Sequence, residues 1–398
     1  MHLHRKVGRM RLVISVALVI TFVITGFSVY RDRASNTDRV LARVHNAGGV
    51  QAVTLLSRVH TIDKIYHSMQ GPRSNQEGIS LLQTPSPELL WATGMRCDLV
   101  ASDGQSEISR EFFCHSNLVL NQQCPSPLRA EQMPTGNTDG RIFTLVPGQM
   151  AITLPAGFGI PIYSDERVDY FSMSLNLNVK DHIEKVRFKT AINFIRDSEL
   201  KAPMRPLFRR SVYAYEPVGV DSPHAMCQSS DHPGASCGPF IGQAASNAFL
   251  QSLGKSNTVH WMVPPGRYES HVPVTDQLEL PCQTTLHFAA AHLHPFGKSI
   301  SLRDRTSGET LFTINSKDFS DRLGVACMEQ RVFSEGLSLY TDHDYELITI
   351  YDNTTATPVD AMSILYLYVL DKKFEQRMRS TAGSTTTVSQ LNATRLLN

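Results

Sequence analysis

The chain has 398 residues, of which 41% are hydrophobic, and 38 basic side chains stand against 37 acidic ones for a net charge of +1. That length suits two domains rather than one, and the hydrophobic content argues against a disordered chain. A charge so evenly balanced argues against a nucleic-acid partner, which requires a basic surface.

Arg5, Lys6, Arg9 and Arg11 precede an apolar run from Leu12 to Val29. The run is about the shortest that spans a bilayer as a helix. Basic residues ahead of it favour a cytoplasmic N-terminus. The expected layout is a cytoplasmic segment 1–11 and a transmembrane signal anchor 12–30. A cleaved signal peptide is the alternative, but the run is long for one and no small-x-small cleavage site follows it. In both cases the membrane is a partner during export, and the head faces the periplasmic or extracellular side. Seven cysteines in such a compartment suggest disulfides with one thiol left over. Cys227 and Cys237 read as a local pair, and Cys282 with Cys327 as a bridge between neighbouring strands. Cys97, Cys114 and Cys124 then include the odd one.

Val40, Leu41, Val44, Val53, Leu55, Leu56, Val59 and Ile62 recur at helical spacing, broken at Gly48-Gly49. They predict a short helical stalk over 31–63. His45, His60 and His67 read there as exposed or capping residues. From residue 64 onward short β-rich runs alternate with Pro and Gly, the pattern of antiparallel sandwiches. Runs near 88–100, 111–120, 143–146, 152–154, 168–179 and 186–195 predict an N-terminal β-sandwich domain over 64–205. A second β-sandwich domain is expected over 206–374. Within it, residues 216–258 form a long insert with few apolar residues, expected to border the cleft between domains. His224 and His232 in that insert read as solvated. The tail 375–398, rich in Arg, Ser, Thr and Asn, reads as disordered.

The run 284–294 is β-branched, aromatic and small apolar, so it predicts a buried strand. Strand side chains alternate, which puts His292 and His294 on one face and His287 on the other. Two imidazoles on one face are half of a site for copper, zinc, iron or nickel. The plainer alternative is two hydrogen-bonded rings on a half-exposed strand. His260, just before Val263-Pro-Pro-Gly266, is the best further polar candidate near such a site. His343, between two aspartates, reads as part of a charged turn. Met362 taken alone reads as core packing. No Gly-x-Ser-x-Gly, His-Glu-x-x-His, phosphate-binding Gly-rich loop or Cys-x-x-Cys offers a competing chemistry.

The order of these elements is Val263-Pro-Pro-Gly266, a strand, His292-x-His294-x-x-Gly297-Lys298, Tyr351-x-Asn353-Thr354, then Asp360-x-Met362 entering an aromatic strand. This order resembles the catalytic C-terminal half of the copper type II, ascorbate-dependent monooxygenases, the peptidylglycine α-hydroxylating and dopamine β-monooxygenase family. The resemblance covers about 64–372 and is fainter over the N-terminal half. It implies an all-β fold of two tandem antiparallel jelly-roll-like sandwiches, with copper facing the cleft between them. It implies that His292, His294 and Met362 hold the copper at which oxygen is activated. It also implies a second copper in the first domain, held by three histidines. At the matching places this chain has Cys114-His115 and Asn176 or Asn178, so that site is degenerate and keeps only His115. Cys114 and His115 together suit an altered copper site.

The expected function is that of a membrane-anchored, exported copper monooxygenase-like protein. It would hydroxylate a C–H bond of an unknown small-molecule or peptide substrate, with electrons from an external donor. The alternative is a non-catalytic copper-binding or copper-delivery protein on the same fold. A third reading is an interaction module whose histidines bind no metal.

Overall fold

The structure is a computed structural model, and it describes residues 38–45, 49–66, 70–121, 123, 126, 140–181, 183–217 and 257–383. The described chain is almost entirely β-strand. In the N-terminal half, β1 (Arg39–His45), β2 (Val50–Leu56), β3 (His60–Ile62) and β4 (Arg73–Ile79) lead into the long β5 (Leu89–Ala101). Then come β6 (Phe113–Leu120), β7 (Arg141–Leu145), β8 (Ala151–Thr153), β9 (Phe158–Tyr163), β10 (Val168–Ser174) and β11 (Glu184–Arg196). The C-terminal half opens with β12 (Arg205–Tyr213), β13 (Glu216–Pro217), β14 (Asn257–Thr258), β15 (Trp261–Val263) and β16 (Gly266–Pro273). A short helix α1 (Thr275–Leu278) precedes β17 (Thr284–Leu293), β18 (Gly297–Asp304), β19 (Thr310–Asp318) and β20 (Val325–Met328). The last elements are β21 (Arg331–Leu339), β22 (Tyr345–Asn353), β23 (Val359–Ala361), β24 (Ser363–Leu370) and the helix α2 (Lys372–Gly383).

One 11-stranded sheet runs through both halves, in the order β1-β2-β11-β5-β9-β12-β24-β17-β21, with β3 on β11 and β8 on β5. A four-stranded sheet, β4-β10-β6-β7, belongs to the first half, and a five-stranded sheet, β16-β22-β18-β19-β20, to the second. The halves are joined within the large sheet by a short parallel pairing, Arg205 with Phe158 and Pro206 with Gly159. Gly159 is required there by space, because a Cβ would lie 3.0 Å from Trp91 Cβ and 3.0 Å from Met204 Cε.

The middle of that sheet is apolar on both faces, and all eight residues of β24 are buried. Ile364, Tyr366 and Tyr368, with Phe288 and Ala290 of β17, join the core of the N-terminal half. Leu365, Leu367 and Val369, with Ala289, Ala291 and Leu293, join Leu302, Ile314 and Leu347 of the five-stranded sheet. A strand covered on both sides reads as a continuous apolar run, as β24 does. Each large side chain so buried contributes about 1.5–3 kcal/mol.

Three expectations are corrected here. The described residues 39–45 and 49–62 are not a helical stalk: they supply β1, β2 and β3, so the first sheet begins well before residue 64. The run is dense in Val, Val53 and Leu55 are both fully buried, and Gly49, at φ 79°, lies in the β1–β2 connection. A β-branched run with alternate burial is a strand, whatever its chance match to helical spacing. His60, expected at a surface, is only 1% exposed.

The tail is also ordered at its start, because α2 continues past residue 374. Asp371 Oδ1 accepts the Phe374 N–H at 2.9 Å, Phe374 packs on Trp91 and Met204, and Arg205 Nε reaches Glu375 Oε1 at 2.7 Å. Finally, Cys282 and Cys327 form no bridge, and Cys97 and Cys114 are likewise outside any disulfide. Cys327 lies four residues before Arg331, which pairs with Ala289 of β17. Cys282 lies seven residues before Ala289, roughly 20 Å along an extended chain and beyond disulfide reach.

Other expectations lie outside the described residues: the anchor 12–30, His67, Cys124, and the insert with His224, His232, Cys227 and Cys237. Among the described residues no helix is long and apolar enough to cross a membrane. The ends of the insert are held together, since Glu216 pairs with Thr258 and Pro217 with Asn257.

Candidate metal centre

The site begins with the register of β17 on β24. His292 lies opposite Ile364 and Leu293 opposite Ser363, and continuing that register sets Met362 beside His294. His292, His294 and Met362 therefore share one face of the sheet, the face packed on the N-terminal half. Met362 is 4% exposed and belongs to the core that includes Ala290, Ile364 and Tyr366. His287 does not point away as strict alternation predicts. The ladder shifts between Leu286 and Phe288, and the His287 ring lies on Phe158 of the N-terminal half with centroids 4.1 Å apart. Its Nδ1 meets Phe333 O at 3.1 Å and its Nε2 meets Thr285 Oγ1 at 2.9 Å, which leaves it a structural role.

Two short strands bring the next residues. β15 pairs with β23, with Met262 opposite Asp360, so His260 and Asp360 arrive beside the end of β17. Asp360 Oδ2 is 2.9 Å from His294 Nδ1, and Asp360 Oδ1 is 3.3 Å from His260 Nδ1. The His260 and His294 rings have centroids 5.2 Å apart, and the His292 and His294 rings 5.1 Å apart at 79°. His260 is fully buried and His294 is 8% exposed. Donor atoms of His260, His294 and Asp360 all lie within 4.8 Å of one another. A carboxylate that accepts both Nδ1–H bonds fixes both tautomers and turns the Nε2 lone pairs outward, the usual support for histidine ligands.

The Tyr351-x-Asn353 motif holds this arrangement together. Tyr351 Oη accepts the backbone N–H of His294 at 3.1 Å and of Met362 at 3.3 Å, and donates to Met362 O at 2.7 Å. Burial pushes its phenol well above the usual range, so it stays a hydroxyl. Asn353 Nδ2 donates to Val263 O at 3.0 Å and to Thr357 O at 2.9 Å, fastening β15 to the loop that precedes Asp360.

The N-terminal half contributes His115 from β6, opposite Met173 of β10. Cys114 is buried, and its Sγ lies 3.3 Å from His115 Nδ1. Burial, helped by the Arg141 charge, pushes the His115 imidazolium down to about 4. His292 is held well below its ordinary value by burial first, then by the charges of His294, His115 and His260. Both rings are thus neutral at neutral pH, the form that binds metal. His292 Nδ1 is buried with no hydrogen-bond partner. Such a group costs about 1–3 kcal/mol and calls for an unseen ion or water. Imidazoles, a carboxylate and a thioether on one face make a donor set that fits copper, and the imidazoles and carboxylate also suit zinc or iron.

The two asparagines at the faint third position are engaged in structural hydrogen bonds. Asn176 Nδ2 donates to Lys64 O at 2.8 Å and Val179 O at 2.7 Å. Asn178 Nδ2 donates to Glu111 Oε2 at 3.0 Å and Leu323 O at 2.9 Å, while its Oδ1 accepts Leu323 N–H at 3.0 Å. Both amides are taken. His343 bonds Asp304, in keeping with a charged turn. Sequence reasoning left Asp360 without a role. Its one signal was its position two residues before Met362, which puts both side chains on one side of an extended chain.

No protein-family model matches the chain, and no curated protein matches it. Among solved structures, a peptide-N(4)-(N-acetyl-β-D-glucosaminyl) asparagine amidase aligns over 80% of this chain and 97% of its own, at 7% identity and a TM-score of 0.32. The STIV MCP aligns over 80% of this chain and 99% of its own, at 7% identity and a TM-score of 0.30. T=1 particles derived from infectious bursal virus align over 85% and 72%, at 9% identity and a TM-score of 0.18. At such TM-scores neither a fold nor a function transfers to this chain.

Proposed function

We propose that this chain is an exported, membrane-anchored copper protein on two jelly-roll-like sandwiches. Its centre at His292, His294 and Met362 activates oxygen and hydroxylates a C–H bond of a small-molecule or peptide substrate. The observation that carries the metal reading is the Asp360 carboxylate, placed between His294 Nδ1 and His260 Nδ1 on the face where His292 Nδ1 is buried without a partner. Histidines that ligate a metal commonly donate their other ring N–H to a carboxylate in this way. Copper supplies one-electron chemistry with oxygen, and an external donor supplies the electrons. His292 presents a neutral nitrogen, Asp360 orients His294 and His260, and Tyr351 fixes the backbone of His294 against that of Met362.

The test is oxygen uptake by the copper-loaded full chain with ascorbate. The wild type is expected to consume oxygen and Met362→Ala to lose most of that rate. Unchanged turnover in the variant would remove Met362 from the centre.

A second reading is copper binding or delivery without oxygenation. It is favoured by the first half, where Asn176 and Asn178 are committed to other hydrogen bonds and His115 is the one histidine on β6. Of the three positions that would build an electron-transferring three-histidine site, the described residues keep a histidine only at His115. Tightly held copper with no ascorbate-dependent oxygen uptake would decide for this reading.

A further inference from the structure

We infer that His115 of the N-terminal half binds the same ion as His292, so that the chain carries one shared centre and metal occupancy fastens its two halves. This rests on the metal reading above, and it departs from the two separate coppers that the family resemblance implies.

The placement follows from the contacts that seat β6 and β7 on the large sheet. Asn117 stands two residues beyond His115 on β6, hence on the same side. Its Oδ1 accepts Thr144 Oγ1–H at 2.8 Å, and Thr144 Oγ1 accepts Arg209 Nη2–H of β12 at 3.1 Å. The Arg209 guanidinium lies 4.5 Å over the Tyr366 ring of β24. That side of β6 therefore faces the β12–β24–β17 surface. Tyr366 pairs with Ala290, and the next row on the same face pairs Ile364 with His292. One residue pair along β6 from Asn117 is His115, and His115 is among the charges that act on His292.

The chemistry at that point is complementary. Cys114 Sγ occupies His115 Nδ1, which leaves Nε2 as the atom available to a ligand. His292 Nδ1 is buried without a hydrogen bond. An ion between these rings would satisfy both and would link β6 of one half to β17 of the other. The halves already touch through polar contacts on the rim, including Arg322 with Glu111 at 3.0 Å and Gln330 with Ala151 O at 2.7 Å. The ion adds a buried fastening inside that rim.

The test uses the full chain loaded anaerobically with Cu(I), then oxidised to Cu(II) for EPR. The wild type is expected to hold one ion per chain. His115→Gln should weaken that ion about tenfold or more, alter its EPR spectrum and shrink the rise in melting temperature that copper gives. Histidine carbethoxylation of the wild type, read by mass spectrometry, gives a readout that does not depend on the variant folding: copper should protect His115 together with His292. Two ions in the wild type, with His115→Gln removing one and leaving the other unchanged, would overturn the inference alone. So would one ion indifferent to His115→Gln, or protection of His292 and His294 without His115. No ion in the wild type would overturn the inference and the metal reading together.

Discussion

His60 and His292 each have a buried ring nitrogen and depressed basicity, yet their surroundings differ in kind. His60 sits in the first half with Nδ1 2.8 Å from Ser174 Oγ and its ring 5.1 Å from that of Phe188. Its Nε2, like His292 Nδ1, is a buried nitrogen without a hydrogen bond. Around His292, by contrast, stand His294, His115, His260 and Asp360, so that the group is drawn from four strands or strand ends. Burial explains the shift in both, and an orphan nitrogen occurs in both. Convergence of several donors from elements distant in sequence is what sets one apart as a candidate site.

The comparison can be broken first at His60. Burial, then the Arg58 charge, pushes its imidazolium down to about 4 from an ordinary 6.5, with Asp38 acting the other way. As pH falls through 6.5 the unfolded chain takes up this proton and the folded chain does not. The stability contributed by neutral His60 is therefore complete above pH 6.5 and is lost progressively down to pH 4. The loss is about 3 kcal/mol for this group alone. Urea unfolding of the metal-free protein between pH 7 and pH 4 should show it, and His60→Gln should flatten that dependence without reducing copper uptake. Lost copper uptake in His60→Gln would make the two imidazoles alike after all.

The comparison sharpens at Asp360. Asp360→Asn keeps the shape but removes the charged acceptor shared by His260 and His294. Copper affinity should fall about 10–100-fold, the range for partners that orient metal ligands. Competition against a colorimetric chelator measures this, and an unchanged affinity would reduce Asp360 to a packing residue. The smallest effect is expected at the rim. Arg322 is 37% exposed in its side chain, and Arg322→Ala should cost less than about 1 kcal/mol in unfolding free energy, with copper binding unaltered. A larger loss would show that the rim, rather than the centre, holds the halves.

Much of this arrangement is legible in the residues, and the illegible parts have physical causes. The continuous apolar run of β24 and the shared face of His292 and His294 follow from strand geometry, whereas Met362 enters the sequence reading only through the family resemblance and its place beside them needs the β17–β24 register. Residues 39–62 could not, because Val40, Leu41, Val44, Val53 and Leu56 satisfy helical and strand spacing at once. Only their β-branched content and the hairpin glycine discriminate. The shift in the ladder at Leu286–Phe288 defeats alternation for His287, since one irregular pairing changes the face. The pairing of His260 with Asp360 spans 100 residues and depends on two three-residue strands, too short for any periodicity to announce. The Tyr351-x-Asn353 motif was legible as a motif, but its work of clamping the backbone at Val263, His294 and Met362 needs the tertiary fold.

The most direct measurement is the copper content of the full chain after anaerobic Cu(I) loading and removal of loose metal. It is made on the wild type, His292→Ala/His294→Ala and His60→Gln, with circular dichroism to confirm that each is folded. The account requires one ion in the wild type, none in the double variant and one in His60→Gln. Copper retained by the folded double variant, or absent from the wild type, would contradict a centre at His292 and His294.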